Sequence, residues 1–441
     1  MSGIKNCQYD GDETVNMLKT KWDVLVVGAG AGGLALAILL AKKGLQVGVL
    51  EGQATPMGRP RGEIIQPNGL RILDEIGVLS PLLEGDVFRW DRVNFNTENG
   101  NLLCSVCYQN LPLPFNFALV VLPEEVNRHL LSKIASFPNI QIFYKATLLS
   151  LLQEGGQGMG IRARIENESY DFQAKVVIGG DGVRSFVRDA IRIQSRVRTY
   201  ANGYLTTMVN IPQDFSPDTW TNTLKNLNFF LGKWIYFAVM PAGKRQLYLM
   251  YLIRGDQQER IKTEGIDRFK EKILSINRNV RALLEKPLSE ISSWSDFSFM
   301  PCFHVHCKSW VADGGALIGD AAHAMNPHVA QGRNAAMQDA WILSGVIEAC
   351  FHRGDFSRRA LADYELQRRP EVSALQRTAD ELTWLLESGS PPLIWARERI
   401  FRAIHKSPAL HDKILFTASG VESRPFNLLD KWRSLHLFGP V

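Results

Sequence analysis

Asp23-Val24-Leu25-Val26-Val27-Gly28-Ala29-Gly30-Ala31-Gly32-Gly33-Leu34-Ala35-Leu36-Ala37 decides how the rest of the chain is read. Val24 to Val27 is a short, mostly β-branched apolar run and predicts a buried strand. Leu34 to Lys43 has helical composition, Gly44 ends it, and Gln46 to Leu50 predicts a second strand. Between strand and helix stand Gly28, Gly30 and Gly33 in the spacing G-x-G-x-x-G. Glycines there allow a tight turn, close approach of a pyrophosphate, and contact between helix and strand. The helix start adds unpaired N–H groups and the positive end of a dipole. Glu51 ends the second strand about 20 residues on, where an acid can hold a ribose hydroxyl. This strand–turn–helix–strand unit predicts an α/β dinucleotide-binding fold, without choosing between FAD and NAD.

Composition agrees with a large core. The chain has 441 residues, 45% of them hydrophobic and 22% charged, which excludes a disordered chain or a collagen-like repeat. A formal net charge of +5 is too small and too dispersed for a nucleic-acid footprint, so no nucleic-acid partner is expected. Six cysteines (Cys7, Cys104, Cys107, Cys302, Cys307, Cys350) are too few for a disulfide scaffold and fit a reducing cytoplasm. No apolar run reaches the roughly 20 residues of a membrane helix. Residues 1–20 read as a polar extension without a signal peptide.

Further along, Trp90 to Leu122 reads as short strands broken by Asn-Gly and Pro. Glu124 to Ser136 reads as helix, Asn139 to Tyr144 as extended, and Glu154 to Gly160 as a glycine-rich hairpin or loop. Tyr200 to Ile253 is dominated by extended segments, with Trp234 to Met240 and Gln246 to Ile253 forming an antiparallel hairpin. Both faces of the second hairpin strand are apolar, which predicts a sheet covered on both sides. Ile266 to Leu284 reads as one helix, and the chain after Gln338 as mostly helical, interrupted at Gly389–Pro392.

Two later stretches carry a resemblance. Lys175-Val176-Val177-Ile178-Gly179-Gly180-Asp181-Gly182-Val183-Arg184-Ser185 looks like the Asp-Gly motif of flavoprotein hydroxylases. Gly314-Gly315-Ala316-Leu317-Ile318-Gly319-Asp320-Ala321-Ala322-His323, followed by Pro327, Gly332, Asn334 and Asp339, resembles their Gly-Asp motif. Arg61 fits the arginine after the second strand, and Tyr364 with Arg368-Arg369-Pro370 fits a later tyrosine–arginine element. In this order the blocks resemble the single-component (class A) FAD-dependent monooxygenases, the superfamily of para-hydroxybenzoate hydroxylase and the ubiquinone-pathway hydroxylases. The resemblance spans Asp23 to about Asp339.

The resemblance implies roles residue by residue. Gly28, Gly30 and Gly33 would hold the pyrophosphate and Glu51 the adenosine ribose, while Arg61 and Arg128 would contact the flavin's phosphate or ribityl region. Asp181 and Gly182 would support FAD and the passing nicotinamide. Asp320, after Gly319, would accept a hydrogen bond from a ribityl hydroxyl; capping the following helix is its alternative role. Pro327 would sit beside the isoalloxazine. Gly332, Arg333 and Asn334 would start a helix whose N–H groups face the flavin's pyrimidine ring and stabilise its anionic form. One position departs from the family: Ala330 stands where glycine is usual, and a side chain there or at Arg333 would crowd or recharge the flavin edge. Pro327, Ala330 and Gly332 thus form the expected ring environment, with no protein acid or base assigned.

The implied architecture is a discontinuous Rossmann-like FAD domain (21–90, 118–195, 296–345), an inserted mostly antiparallel substrate domain (91–117, 196–295) and a helical C-terminal region (346–441). The implied activity is NADPH- or NADH-dependent hydroxylation with O2 through a flavin hydroperoxide. A pocket of Phe229, Tyr236, Met240, Leu249 and Tyr251, without an evident arginine clamp, points to a lipophilic aromatic, quinoid or polyketide-like substrate. A prenyl reductase-like FAD enzyme, a halogenase, and a non-catalytic FAD-binding protein are the competing readings. The halogenase element Trp-x-Trp-x-Ile-Pro is missing; Trp234 to Pro241 only loosely resembles the reductase motif.

Weaker features take bland readings. Cys104 and Cys107 read as small hydrophobes, since a redox pair needs a helix N-terminus. Cys302, His304, His306 and Cys307 lack a second ligand pair at zinc spacing, so no metal is expected. His323 and His328 read as structural. Leu382 to Ile404, with Trp384, Leu385, Trp395 and basic neighbours, reads as a core helix pair, with transient membrane-surface contact as the alternative. The expected state is a cytoplasmic monomer or homodimer, with membrane contact only peripheral.

Overall fold

Val24–Val27 is flanked on both sides by parallel partners, Val47–Leu50 on one and Val176–Gly179 on the other. These belong to a six-stranded sheet in the order Val311–Ala312, Gly315–Leu317, Val176–Gly179, Val24–Val27, Val47–Leu50, Ile140–Phe143. The three central strands are buried throughout, which is why their sequences are unbroken apolar runs rather than alternating ones. The chain builds outward to one edge, then returns to the other side of Val24–Val27. Such a reversal opens a crevice at the carboxyl ends of the strands. Helix Ala31–Lys42 starts there, is buried from Ala31 to Ala41, and lies between Pro123–Ile134 and Gly332–Arg353. The computed structural model describes residues 20–55, 63–154, 158–213, 226–243, 245–424 and 426–436, so most of the polar extension 1–20 and the tail 437–441 lie outside it.

A second sheet of seven strands supplies the other wall. Its order is Ser298–Cys307, Ser195–Asn210, Gln246–Arg254, Ile235–Pro241, Leu227–Gly232, Arg92–Thr97, Leu102–Cys107. All pairings are antiparallel except Leu227–Gly232 with Arg92–Thr97. Strand Gln246–Arg254 buries both faces. Leu247, Leu249, Tyr251 and Ile253 pack on Phe269, Ile273 and Leu284, while Tyr248, Met250 and Leu252 share the opposite face with Phe229, Tyr236 and Met240.

Two sequence expectations shift. The single helix 266–284 is two, Ile266–Leu274 and Arg278–Ser289, because the Asn277 side chain accepts from the Val280 N–H at 2.9 Å and restarts the helix. The boundary drawn at 296 falls short, since Ser298–Cys307 pairs with Ser195–Asn210 and completes the seven-stranded sheet. Of the expected hairpin at Glu154 to Gly160, residues 155–157 lie outside the described residues.

After Gly332–Arg353, helices Arg358–Leu386, Pro391–Lys406, Pro408–Ser419 and Leu428–His436 complete the chain. They cover the edge strand Leu102–Cys107. The Ser105 N–H donates to His405 Nδ1 at 3.4 Å and the Cys107 N–H to His411 Nε2 at 3.3 Å, closing backbone groups that would otherwise invite another strand. Burial pushes the Cys104 thiol up to about 12, so it is a packing residue. Among the described residues no helix is long and apolar enough to cross a membrane, and no cluster of His, Cys, Asp and Glu is grouped to hold a metal ion.

Candidate active site

At the crevice, Gly28 has φ +100°, and a Cβ there would lie 2.4 Å from the Gly180 carbonyl oxygen. At Gly33 a Cβ would meet the Gly28 oxygen at 2.1 Å. Only glycine lets the turn, the helix and the neighbouring strand end come this close. Gly30 differs: it is the N-cap of Ala31–Lys42, and open space lies where its Cβ would be. Its turn is held by Glu51, whose carboxylate accepts from the Ala29 N–H at 2.7 Å and the Gln53 N–H at 2.8 Å.

A cavity of about 400 Å³ runs from Gly30–Gly33 past Gly182 and Asp320 to the Pro327–Arg333 turn, then on to the seven-stranded sheet. Gly30, Gly182 and Gly332 line it, each with nothing within 4 Å of where a Cβ would sit. Three side-chain-free points along one groove that also receives the N-termini of two helices suit a long ligand carrying phosphates at one end and a flat ring at the other. The residues present therefore fit FAD.

The Gly319–Asp320 turn is pinned from behind. Asp339 is wholly buried; its Oδ2 accepts from the Gly319 N–H at 2.9 Å and lies 2.6 Å from His323 Nε2, while Oδ1 accepts from Arg368 Nε at 3.0 Å. Burial alone would raise this carboxyl, but His323, Arg368 and the Gly319 N–H outweigh it and hold it at about 2. The Tyr364 hydroxyl donates to the Leu317 carbonyl at 2.9 Å. The tyrosine–arginine element thus braces the Gly-Asp motif, and His323 is structural. Asp320 is left exposed on the cavity wall; the cap of helix Asp320–His323 is Gly319, so the capping alternative for Asp320 does not hold.

Beyond it, Pro327–Val329 forms a single 3₁₀ turn ending at Ala330, which has φ +49°. Glycine takes that conformation freely and alanine does not. Ala330 and Arg333 both line the cavity, and the Arg333 guanidinium donates to Asn127 Oδ1 at 3.4 Å. Asn334 contributes its backbone to the start of Gly332–Arg353, but its side chain turns away. It accepts from the Gln66 N–H at 3.1 Å and donates to the Ile64 and Ala330 carbonyls at 3.0 and 2.9 Å. Buried Gln331, which the sequence reading passed over, ties Asn68 to the Ala418 carbonyl.

Other expected site residues fare unequally. Phe229, Tyr236 and Met240 line the cavity. Leu249 and Tyr251 do not: they face the helices behind the sheet, and their neighbours Tyr248 and Met250 take their place, because adjacent strand residues point to opposite faces. Met300, Met325 and Ile64 complete the lining and had no sequence signal of their own. Asp181 turns its carboxylate inward to the Ser185 hydroxyl at 2.5 Å and the Val187 N–H at 3.1 Å, leaving Gly182 as the cavity residue. Arg128 is exposed, paired with Glu125, and off the cavity wall. Arg61 lies outside the described residues.

A dinucleotide crevice joined to an apolar sheet-lined chamber defines a flavin-dependent oxidoreductase that carries its own substrate site. A family model described as FAD binding domain matches residues 21–379. The chain is 26% identical over 399 residues to 6-methylpretetramide 4-monooxygenase of Streptomyces rimosus, covering 90% of this chain and 92% of that one. It is 26% identical to kynurenine 3-monooxygenase of Salinispora tropica, covering 89% and 84%. The structure of p-nitrophenol 4-monooxygenase from Pseudomonas putida matches with a TM-score of 0.76 at 19% identity, covering 92% of this chain and all of that one. The chain belongs to the FAD-binding family of class A, single-component monooxygenases, with FAD as its cofactor and NAD(P)H as reductant.

Proposed function

We propose that the protein hydroxylates a bulky, lipophilic phenolic or quinoid ring. The observation that carries this reading is the chamber itself, walled by Phe229, Tyr236, Met240, Tyr248, Met250 and Met300, where unbranched methionines adapt to large flat ligands. Relatives named for 6-methylpretetramide and kynurenine support a ring-bearing substrate.

Bound FAD supplies the redox chemistry, taking electrons from NAD(P)H and activating O2. The protein's part is to hold and to exclude. Gly28, Gly30 and Gly33 would take the pyrophosphate at the helix start, Glu51 the ribose, Asp320 a ribityl hydroxyl, and the Gly332 and Arg333 N–H groups the ring's anionic edge. Pro327 and Ala330 line the cavity where they would flank the bound ring, and the apolar sheet would limit water beside it. Exposed Trp384 and Trp395, with Arg399 stacked 4.6 Å from the Trp395 ring, support transient contact with a membrane surface, where such substrates concentrate. The sparing use of cysteine supports action in the cytoplasm.

A panel of lipophilic phenols, quinolones and quinones, scored by stimulated NAD(P)H consumption and product mass, tests the proposal. One oxygen atom gained by a large phenol is the expected result. Stimulation confined to small carboxylated aromatics, or reduction of a double bond without oxygen, would overturn it.

A further inference from the structure

Helix Leu428–His436 turns its polar side inward and its apolar side outward. Asp430 and Ser434, one turn apart, face the protein at 4% and 1% exposure. Asp430 pairs with Lys413, accepts from the Asn427 N–H at 2.9 Å, and its own N–H donates to Asn427 Oδ1 at 2.9 Å. Leu428, Leu429 and Trp432 stand on the opposite side, 83%, 62% and 60% exposed. A surface helix in water shows the reverse arrangement. Three large apolar side chains grouped in the open mark a surface that meets an apolar partner.

The surface continues onto two neighbouring helices. Lys431 Nζ donates to Glu381 Oε1 at 2.7 Å, which fixes Leu428–His436 beside the end of Arg358–Leu386, where Trp384 is exposed. Pro391–Lys406 packs on Leu428–His436 and buries Arg397, Phe401 and Ile404. Trp395, Arg399, Arg402 and Lys406 follow one another at spacings of three and four on its other side. Among the described residues, three of the four exposed tryptophans stand on these helices. Charge gathers here as well: residues 391–441 hold eight Lys and Arg against four Asp and Glu, so +4 of the chain's net +5 lies in its last 51 residues. A second copy would bring the same positive charge against this face. An anionic bilayer accepts both features, since indole and leucine side chains enter the boundary below the headgroups while Arg and Lys stay among them.

We propose that these helices dock the enzyme on an anionic lipid surface, with Leu428, Leu429, Trp432 and Trp395 inserted and Arg399 and Lys406 set against the headgroups. The inference rests on the membrane contact proposed above and deepens it, fixing the face, the inserted side chains and the charge of the lipid. The docking helix also lies near the substrate chamber. Phe401, on the inward side of Pro391–Lys406, has its ring centre 4.6 Å from that of Phe95, and Phe95 stacks at 5.3 Å on Phe229 of the chamber wall. A single ring, that of Phe95, stands between helix and chamber wall, so docking concentrates a lipid-dissolved substrate beside the site that uses it.

The test sediments FAD-loaded protein with vesicles of phosphatidylcholine alone and of phosphatidylcholine mixed with phosphatidylserine, at low and at high salt. The wild type should partition onto the mixed vesicles about tenfold more strongly than onto the neutral ones, and most of that preference should vanish at high salt. Leu428→Ser combined with Leu429→Ser and Trp432→Ser should weaken partitioning onto mixed vesicles by about tenfold or more. Arg399→Glu combined with Lys406→Glu should remove the preference for anionic lipid. Both variants should keep their FAD and the wild-type melting temperature, because the altered side chains lie on the outward face. A wild type that is dimeric on gel filtration and becomes monomeric in the triple variant gives this face to a second copy and overturns the proposal. Equal partitioning onto both vesicles, or a triple variant that partitions like the wild type, removes the assigned face and leaves membrane contact standing. A wild type that binds neither vesicle removes the membrane contact as well, while hydroxylation stands.

Discussion

Ala330 shows how one side chain can sit against the backbone it is given. Its φ of +49° is the conformation in which a Cβ crowds the following carbonyl, at about 1–2 kcal/mol for an L-residue. Part of that is offset because glycine has more freedom to lose on folding. Ala330→Gly should therefore stabilise the protein by up to about 1 kcal/mol in thermal unfolding; a loss of stability would mean that the methyl group packs productively in the chamber wall. Asp320 makes the opposite case, an exposed acid whose neighbours already fix the turn without it. Asp320→Ala should keep its fold by circular dichroism yet lose most of its FAD on gel filtration, and full flavin retention with normal turnover would defeat the ribityl assignment. At this scale the glycines Gly28 and Gly33 were legible, because only glycine tolerates the contacts they make. The setting of His328 was not legible: its ring bonds to Glu387, 59 positions away in sequence.

Within an element, register decides which face a residue serves. The sequence of Gln246–Arg254 is apolar on both faces, so alternation in it carries no label for core or chamber. The expectation chose Leu249 and Tyr251, whereas pairing with Ser195–Asn210 and Ile235–Pro241 turns Tyr248 and Met250 inward. Leu249→Ala should cost about 2–5 kcal/mol in denaturant unfolding and leave ligand affinity unchanged in the protein that remains folded. Met250→Trp should do the reverse, filling the chamber and weakening binding of large phenols at little cost in stability. Equal effects of the two on affinity would contradict the assigned faces. Helices gave clearer signals: Ala31–Lys42 is apolar on all sides because it is enclosed on all sides, and Asn277 marked a helix start that a longer apolar period had masked.

Across the molecule, Asp339 joins the Gly-Asp turn, its own helix and, through Arg368, helix Arg358–Leu386. Its carboxyl ionises at about 2 in the fold, below the roughly 3.9 of an unfolded aspartate, so the folded chain binds fewer protons in that interval. The stability it adds is complete above about pH 4 and is lost as pH falls towards 2. Asp339→Asn should lower stability at neutral pH by about 1–3 kcal/mol, because Arg368 loses its buried partner and keeps only the partly exposed Glu371, and should flatten the acid limb of the stability curve. An unchanged acid limb would assign acid unfolding to other carboxylates. The sequence by itself determined the nucleotide crevice, the order of its motifs and the cofactor class, because those depend on short stretches whose backbone demands are written locally in glycine, proline and aspartate. Only the tertiary structure decided which face of the substrate sheet meets the ligand, that Asp181 and Asn334 turn inward, and that Tyr204, His328 and Glu387 meet. Those outcomes depend on strand register and on packing between distant segments, which no local pattern encodes.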